Sequence, residues 1–327
     1  MRSEDAIVSS LRKAFRGLVA KGALGLTDDA AVMPEVPRGH TRVVSTDMVV
    51  EEVDFACDLY PARLAGHRVM LQNLSDLAAM GARPVGFVWS LAIPQKWTKG
   101  PALAQFFAGA ARLCRLFDLP LYGGDLSGTS GPFAASVTIF GDVPGTPLTR
   151  DGARPGDGVY VSASGVGAAA SGLATLLQRR VQGRPARGAF PAYLGALPQA
   201  SRRTVRSYLE RTPEIALGQL LVRHASACLD VSDGLGKDLG RLAKASSVRL
   251  DLSTPALLAA RSKHAPANLT ALALLDSAEE YVLAFTARRA VEGAHRIGEV
   301  RAGRGVFLDG RAYTSTGFDH FHRSKHT

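Results

Sequence analysis

Short apolar runs alternate with longer stretches of helical periodicity along most of this chain, which restricts it to layered arrangements of helices and strands. Residues 62–80 repeat apolar side chains at helical spacing and stop at Gly81 and Pro84; residues 86–93 (GFVWSLAI) then read as a buried strand. Upstream, Ser3 can cap a helix with the apolar face Ile7, Leu11, Phe15 and Leu18, and residues 42–47 (RVVSTD) read as a strand ending in polar residues. A helix is expected over 101–117, then strands near 119–122 and 133–141 separated by a Gly-rich turn. The second half repeats the style. Strand 159–164 leads through Gly165 and Gly167 into a helix, and a Pro/Gly/Arg-rich insert follows near 183–200. Helices 201–210 and 214–226, strand 228–231, helix 234–246 and strands 248–252 and 280–286 complete the pattern. Each half is expected to be an α/β or α+β layer structure. The stretch 143–157, rich in Pro, Gly and Asp, marks the expected boundary between domains 1–145 and 146–327.

With 327 residues, 46% of them apolar, the chain can bury a sizeable core and has a globular composition. No apolar run approaches the roughly 20 residues that span a bilayer. Met1-Arg2-Ser3-Glu4-Asp5 lacks the basic-then-apolar layout of a signal peptide, so a cytoplasmic location and no membrane partner are expected. Cys57, Cys114 and Cys228 form no CxxC pair and read as buried free thiols. The formal net charge of +10 comes from 31 Arg against only 8 Lys. Residues 179–211 hold eight Arg and a single acid, Glu210. That stretch contains neither an RNP-like aromatic motif nor a helix-turn-helix signature, so a solvated basic face is expected rather than a nucleic-acid partner.

Aspartates carry most of the functional information. Asp28 and Asp29 lie in a turn, Asp47 closes Ser45-Thr46-Asp47 at a strand end, and Asp125 follows Gly123-Gly124. Asp230 and Asp233 bracket Ser232 at a strand-to-helix turn. Asp76 stands inside an apolar helix, on one face with Asn73, where a carboxylate has little structural use. A turn or cap explains any one of them singly. As a set they suit hard divalent cations, which take oxygen ligands; because Mg²⁺ uses only one or two protein carboxylates per ion, several ions bridged by a polyphosphate are implied. The glycines before Asp125 and after Asp233 would let backbone N–H groups approach phosphate. The common nucleotide motifs are missing: there is no GxxxxGK[ST] and no protein-kinase catalytic loop. Gly165-Val166-Gly167-Ala168-Ala169-Ala170 matches the dinucleotide fingerprint GxGxxA, but no acid follows about 20 residues on, and close helix–strand packing explains its glycines better.

The strings STDMVVE, NLSDLAAMGARP, YGGD, LTRDGARPGD and LDVSDGL, in that order, resemble the thiamine-monophosphate kinase family, from about Asp28 to Phe321. That family belongs with aminoimidazole ribonucleotide synthetase and selenophosphate synthetase. The resemblance implies a two-domain fold of the aminoimidazole-ribonucleotide-synthetase kind. The N-terminal sheet would form a dimer barrel in a homodimer, the C-terminal domain would be an α/β sandwich, and the nucleotide would lie in the cleft between domains. It implies ATP as phosphoryl donor, several Mg²⁺ ions and thiamine monophosphate as acceptor. Carried over position by position, Asp29, Thr46, Asp47, Asp76, Asp125, Asp230 and Asp233, with Ser45 a weaker candidate, correspond to magnesium ligands. Gly124, Arg150 and Ser232 correspond to ATP contacts, and no catalytic general base is implied.

Departures from the family pattern fall on the acceptor side. Asp54 replaces the His of EGVHF, Leu126-Ser127 replace the TT of GGDTTRG, and Ser277-Ala278 replace the glycines of GGEDYEL. Ala168 replaces the Asp of LGDSAAGL. Asp54, Glu279 and Phe318 are the expected acceptor contacts, with Phe318 stacking on the thiamine; the extra acids Asp54 and Glu280 would suit a cationic thiazolium. Two alternatives remain at this stage: a paralogue acting on a different small-molecule acceptor, and a non-catalytic nucleotide-binding protein.

Overall fold

The computed structural model describes residues 4–26, 30–57, 59–181 and 194–315. The chain divides into two compact units. Of the described residues, the first takes in the N-terminal part as far as Pro147 except Ala78–Gly81, together with 177–181 and 194–196, and the second takes in Ala78–Gly81, Leu148–Leu176 and 197–315.

In the first unit, helix α1 (Glu4–Ala14) precedes strand β1 (His40–Val50), helix α2 (Ala62–Ala79), strand β2 (Arg83–Pro94) and the short helix α3 (Gln95–Thr98). Helix α4 (Ala102–Leu116) and strands β3 (Leu121–Thr129) and β4 (Ala134–Pro144) follow. The sheet has the order β1-β4-β2-β3, antiparallel except for β2 against β3. Ile7, Leu11, Phe15 and Leu18 are all buried, as their spacing requires. β3 runs straight through the glycines expected to form a turn. The reason is local: a Cβ on Gly124 would come within 2.2 Å of the Trp89 carbonyl oxygen, so only glycine lets the two backbones pair so closely.

The core of this unit is aromatic. Trp97 stacks on Phe133 at 4.2 Å between centroids, with Phe106 edge-on to both. Glu51 is inserted into that cluster with only 1% of its surface exposed. Its Oε1 accepts from Lys96 Nζ at 2.6 Å and Cys57 Sγ at 2.9 Å, and its Oε2 from the Phe133 N–H at 3.0 Å and Trp97 Nε1 at 3.3 Å. Cys57 is the one exposed thiol; burial of its sulfur and the neighbouring Glu51 push it up to about 12, which leaves it inert at neutral pH. Cys114 and Cys228 are buried free thiols.

The second unit carries a seven-stranded sheet of order β11-β10-β7-β9-β5-β8-β6. In chain order the unit runs β5 (Gly158–Ser162), α5 (Ala168–Val181), α6 (Gln199–Leu209), α7 (Ile215–Leu221), β6 (Ala225–Asp230) and α8 (Leu235–Ala245). β7 (Arg249–Leu252), α9 (Thr254–Ala259), α10 (Ala271–Leu275), β8 (Leu283–Ala287), β9 (Ala294–Arg301), β10 (Gly305–Leu308) and β11 (Arg311–Tyr313) complete it. Every residue of β5 and β8 is buried, as central strands covered on both faces should be. Sequence patterning missed β9 to β11 and ran the helix before β6 into that strand. β9 alternates only weakly and its exposed positions are charged, which hides the period of two. No described helix is long and apolar enough to cross a membrane.

Burial pulls the Glu51 carboxyl upward, but the Cys57, Lys96 and Phe133 donors outweigh it and hold the group below its ordinary value. A depressed carboxyl binds protons more weakly folded than unfolded. Its stabilisation is therefore complete above the usual carboxylate range and lost as pH falls through the folded value. Glu51→Gln, which keeps the shape but not the charge, should cost about 2–3 kcal/mol at pH 7. By thermal denaturation the gap from wild type should narrow below about pH 4; a gap constant from pH 7 to pH 3 would refute the assignment.

Candidate functional site

The string Ser45-Thr46-Asp47 lies on β1, so its side chains alternate between the two faces of the sheet. Register fixes which is which. Ser45 and Asp47 pair with Ile139 and Val137 of β4, both buried, and therefore occupy the helix-bearing face at the sheet edge. Asp76 of α2 meets them there, accepting a hydrogen bond from Ser45 Oγ. Asp76 is half-buried on a helix otherwise packed with Leu74, Leu77 and Ala78.

Thr46 points the other way. Its Oγ1 donates to the Val137 carbonyl at 2.9 Å and lies 3.3 Å from Thr138 Oγ1. Asp125 shares that open face, in a row with Ser90, Ser136 and Met48. It is exposed, three strand positions from β1, or about 14 Å at the usual strand spacing. Asp47 and Asp125 of one chain therefore cannot share an ion. Asp29 and Phe318 lie outside the described residues.

In the second unit Asp230 ends β6 and Asp233 follows in the turn before α8, with Gly234 at a φ of +127° that only glycine adopts readily. The turn is organised by an acid that sequence reading passed over. Asp238 Oδ2 accepts from the Ser232 and Asp233 N–H groups, both at 3.0 Å, while its Oδ1 takes Arg241 Nη1 at 2.6 Å. Burial above all pushes Asp238 up to about 6, against the pull of Arg241 and with Asp230 and Asp233 adding to the rise. An acid in the first turn of a helix after a Gly was the available signal. The Asp233 carboxylate pairs with Arg241 and with Lys237 at 3.3 Å. Arg150 is exposed, and its carbonyl accepts from Ser246 Oγ at 2.9 Å.

The acceptor-side residues fare differently. Asp54 Oδ2 accepts from the Val50 N–H at 2.7 Å, closing the turn after β1. Glu279 has a positive φ of 65°, and its N–H donates to the Ser232 carbonyl at 2.8 Å, which ties it to the Asp230–Asp233 turn. Glu280 is not an acceptor contact. It has no exposed surface, and its Oε1 accepts from the Gly167 N–H at 2.8 Å and the Ala170 N–H at 3.3 Å, with Ser277 Oγ at 2.6 Å. Oε2 takes the Ala169 N–H at 3.4 Å. The protein's own carboxylate thus fills the N-terminal end of α5, where a dinucleotide fold would hold pyrophosphate, and the GxGxxA match is structural.

All of these candidate ligands are oxygen donors, which suits a hard cation such as magnesium. Among the described residues, however, no group of three or more His, Cys, Asp or Glu side chains is placed to hold a metal ion.

Residues 27–143 match the family described as AIR synthase related protein, N-terminal domain. The thiamine-monophosphate kinase of Escherichia coli K12 is 37% identical over 277 residues, spanning 83% of this chain and 78% of that protein. The chain belongs to the thiamine-monophosphate kinase family. It is an enzyme of that kind, a kinase whose acceptor group is itself a phosphate. The crystal structure of thiamine-monophosphate kinase from Stenotrophomonas maltophilia superposes with a TM-score of 0.77 at 30% identity, covering 95% of this chain and 98% of the other. A structure of AaThiL complexed with AMPPCP and TMP superposes at 0.74 with 26% identity, covering 98% and 99%.

Within this thiamine-monophosphate kinase relative the buried Glu280 gives a direct test. Glu280→Ala leaves three N–H groups and the Arg211 guanidinium, 3.7 Å away, without their anion. The substitution should cost about 3–5 kcal/mol, read as a lower midpoint in urea unfolding. A change under about 1 kcal/mol would show that the carboxylate is not what holds the turn.

Proposed function

We propose that this chain uses ATP to phosphorylate thiamine monophosphate, giving thiamine diphosphate and ADP, by direct in-line transfer in the cytoplasm. The observation that carries the reading is Asp76, a half-buried carboxylate of α2 that accepts from Ser45 on the face Ser45 shares with Asp47. Family membership supports the reaction, and the AaThiL complex with AMPPCP and TMP supports both ligands. The acceptor is a phosphate monoester already ionised at neutral pH, so no general base is needed. The difficulty is charge. Two like unit charges at about 4 Å repel by roughly 4 kcal/mol at an effective dielectric near 20. Magnesium, when bound, supplies the positive charge that lets the two phosphate groups approach and stabilises the transferring phosphoryl group. Several ions are called for: in the first unit Ser45, Asp47 and Asp76 on one face, Thr46 and Asp125 on the other, and Asp29 would hold magnesium, and in the second unit Asp230 and Asp233 would do so. Asp233 would exchange its Lys237 and Arg241 partners to do so. Arg150, Ser232 and Gly124 would contact ATP; Glu279 and Phe318 would contact the acceptor, and Asp54 would act there by holding the turn after β1.

We further propose that the working form is a homodimer built on the open face of the first sheet. Val44 and Met48 are 63% and 60% exposed there, in line with Phe140 and Ser136, which is costly for a lone sheet. A second copy on this face would cover Val44 and Met48 and bring its own row of Thr46, Met48 and Asp125 against that of the first.

Purified protein with Mg-ATP and thiamine monophosphate should yield thiamine diphosphate and ADP; ATP binding with no product over hours would defeat the reading. Asp76→Asn should lower kcat at least about 1,000-fold with the thermal midpoint nearly unchanged. Asp47→Asn and Asp125→Asn should each be inactive alone. In sedimentation the wild type should run as a dimer and Val44→Asp/Met48→Asp as a monomer; a monomeric wild type would defeat the homodimer.

A further inference from the structure

In the second unit the end of the Arg-rich stretch, Arg203 to Arg211, closes one wall of a cavity of about 940 Å³, within the range of small-ligand pockets. Arg203, Arg206 and Arg211 come from α6 and the turn after it, Arg261, Lys263 and His264 from the loop after α9, and His295 from β9. Five fixed cations thus face one lining carboxylate, Glu210. Arg203, Arg206 and Lys263 are exposed and enter no ion pair among the described residues. Arg211 is held in place: its side chain is 9% exposed and lies 3.7 Å from the buried Glu280. His264 Nδ1 is buried with no hydrogen-bond partner in the described structure. None of these residues is among the kinase candidates above.

We propose that this cavity is a second ligand site, taking a small oligophosphate anion. Clustered cations left unanswered in a concavity repel one another and are relieved by a bound polyanion. The arginines supply forked donors suited to phosphate oxygens, and Lys263 a point charge. Among the described residues the lining contains no Phe, Tyr or Trp on which a base could stack, which favours phosphate groups over nucleobases as what it reads. Its concave form suits a compact ligand better than a nucleic-acid backbone. A free oligophosphate and the phosphate tail of a nucleotide share this chemistry.

The test is isothermal titration calorimetry of the full chain with inorganic tripolyphosphate in EDTA, which keeps magnesium-dependent binding silent. The wild type should bind saturably, one anion per chain. The variant Arg203→Ala/Arg206→Ala/Lys263→Ala should lose affinity by roughly 100-fold or more while keeping its thermal midpoint and its Mg-ATP turnover. Lys263→Gln alone should give an intermediate loss. Metal-free ATP binding no tighter than tripolyphosphate supports a free oligophosphate as the ligand, and tighter ATP binding supports a nucleotide tail. No binding by wild type, or unchanged affinity in the triple variant, overturns the proposal. Binding of single-stranded oligonucleotides that tightens steadily with length and displaces tripolyphosphate also overturns it, in favour of a nucleic-acid surface.

Discussion

Glu280 is cut off from water, and its surroundings follow from that. An ionised carboxylate in such a place must be answered by donors on every lone pair, and here they are the N–H groups opening α5, the Ser277 hydroxyl and the Arg211 guanidinium. The consequence reaches in three directions. The start of α5 is pinned to the segment before β8, the loop Gly165–Gly167 is closed to outside anions, and Arg211 is fixed at one wall of the basic cavity. Glu51 plays the corresponding part in the first unit, drawing Lys96, Cys57, Trp97 and the Phe133 backbone around one charge. Each unit thus has an aromatic or aliphatic core with a single satisfied glutamate inside it.

Among the candidate functional acids Asp76 and Asp47 are half-buried and Asp125 is exposed, whereas Asp230 is buried at the end of β6. Asp238, buried beside Asp230 and Asp233, rises to about 6 and holds two backbone N–H groups rather than a ligand.

Sequence reading recovered the elements whose burial is one-sided or total. The helix over Ala62–Ala79, the strand Arg83–Pro94 and the turn Asp230–Gly234 all stand close to where their patterns put them. It failed where a tertiary contact overrides local preference. Gly123 and Gly124 look like a turn, yet they are in a strand because Trp89 leaves no room for a Cβ. Glu280 looked like a spare acid for a cationic ligand, because nothing local to it announces three N–H groups that lie more than a hundred positions earlier in the chain. Arg203 and Arg206 are exposed, as a solvated basic stretch should be, but the cavity they border also depends on Arg261, Lys263 and His295, which are distant in sequence.

The alternation of a strand sets the remaining constraint on the first unit. Ser45, Thr46 and Asp47 are consecutive, and a family motif treats them as one group, but a period of two sends Thr46 to the face opposite its neighbours. Asp125 falls on Thr46's side and Asp76 on Asp47's. No rotamer change moves a side chain through a paired sheet. The pairing of β1 with β4 is continuous in register from Ser45 to Asp47, so the backbone gives no local bend that would bring the two faces together. The sheet therefore presents two separate groups of oxygen donors, Ser45, Asp47 and Asp76 on the helix-bearing side and Thr46 and Asp125 on the open side, and one ion within this sheet draws on one group or the other.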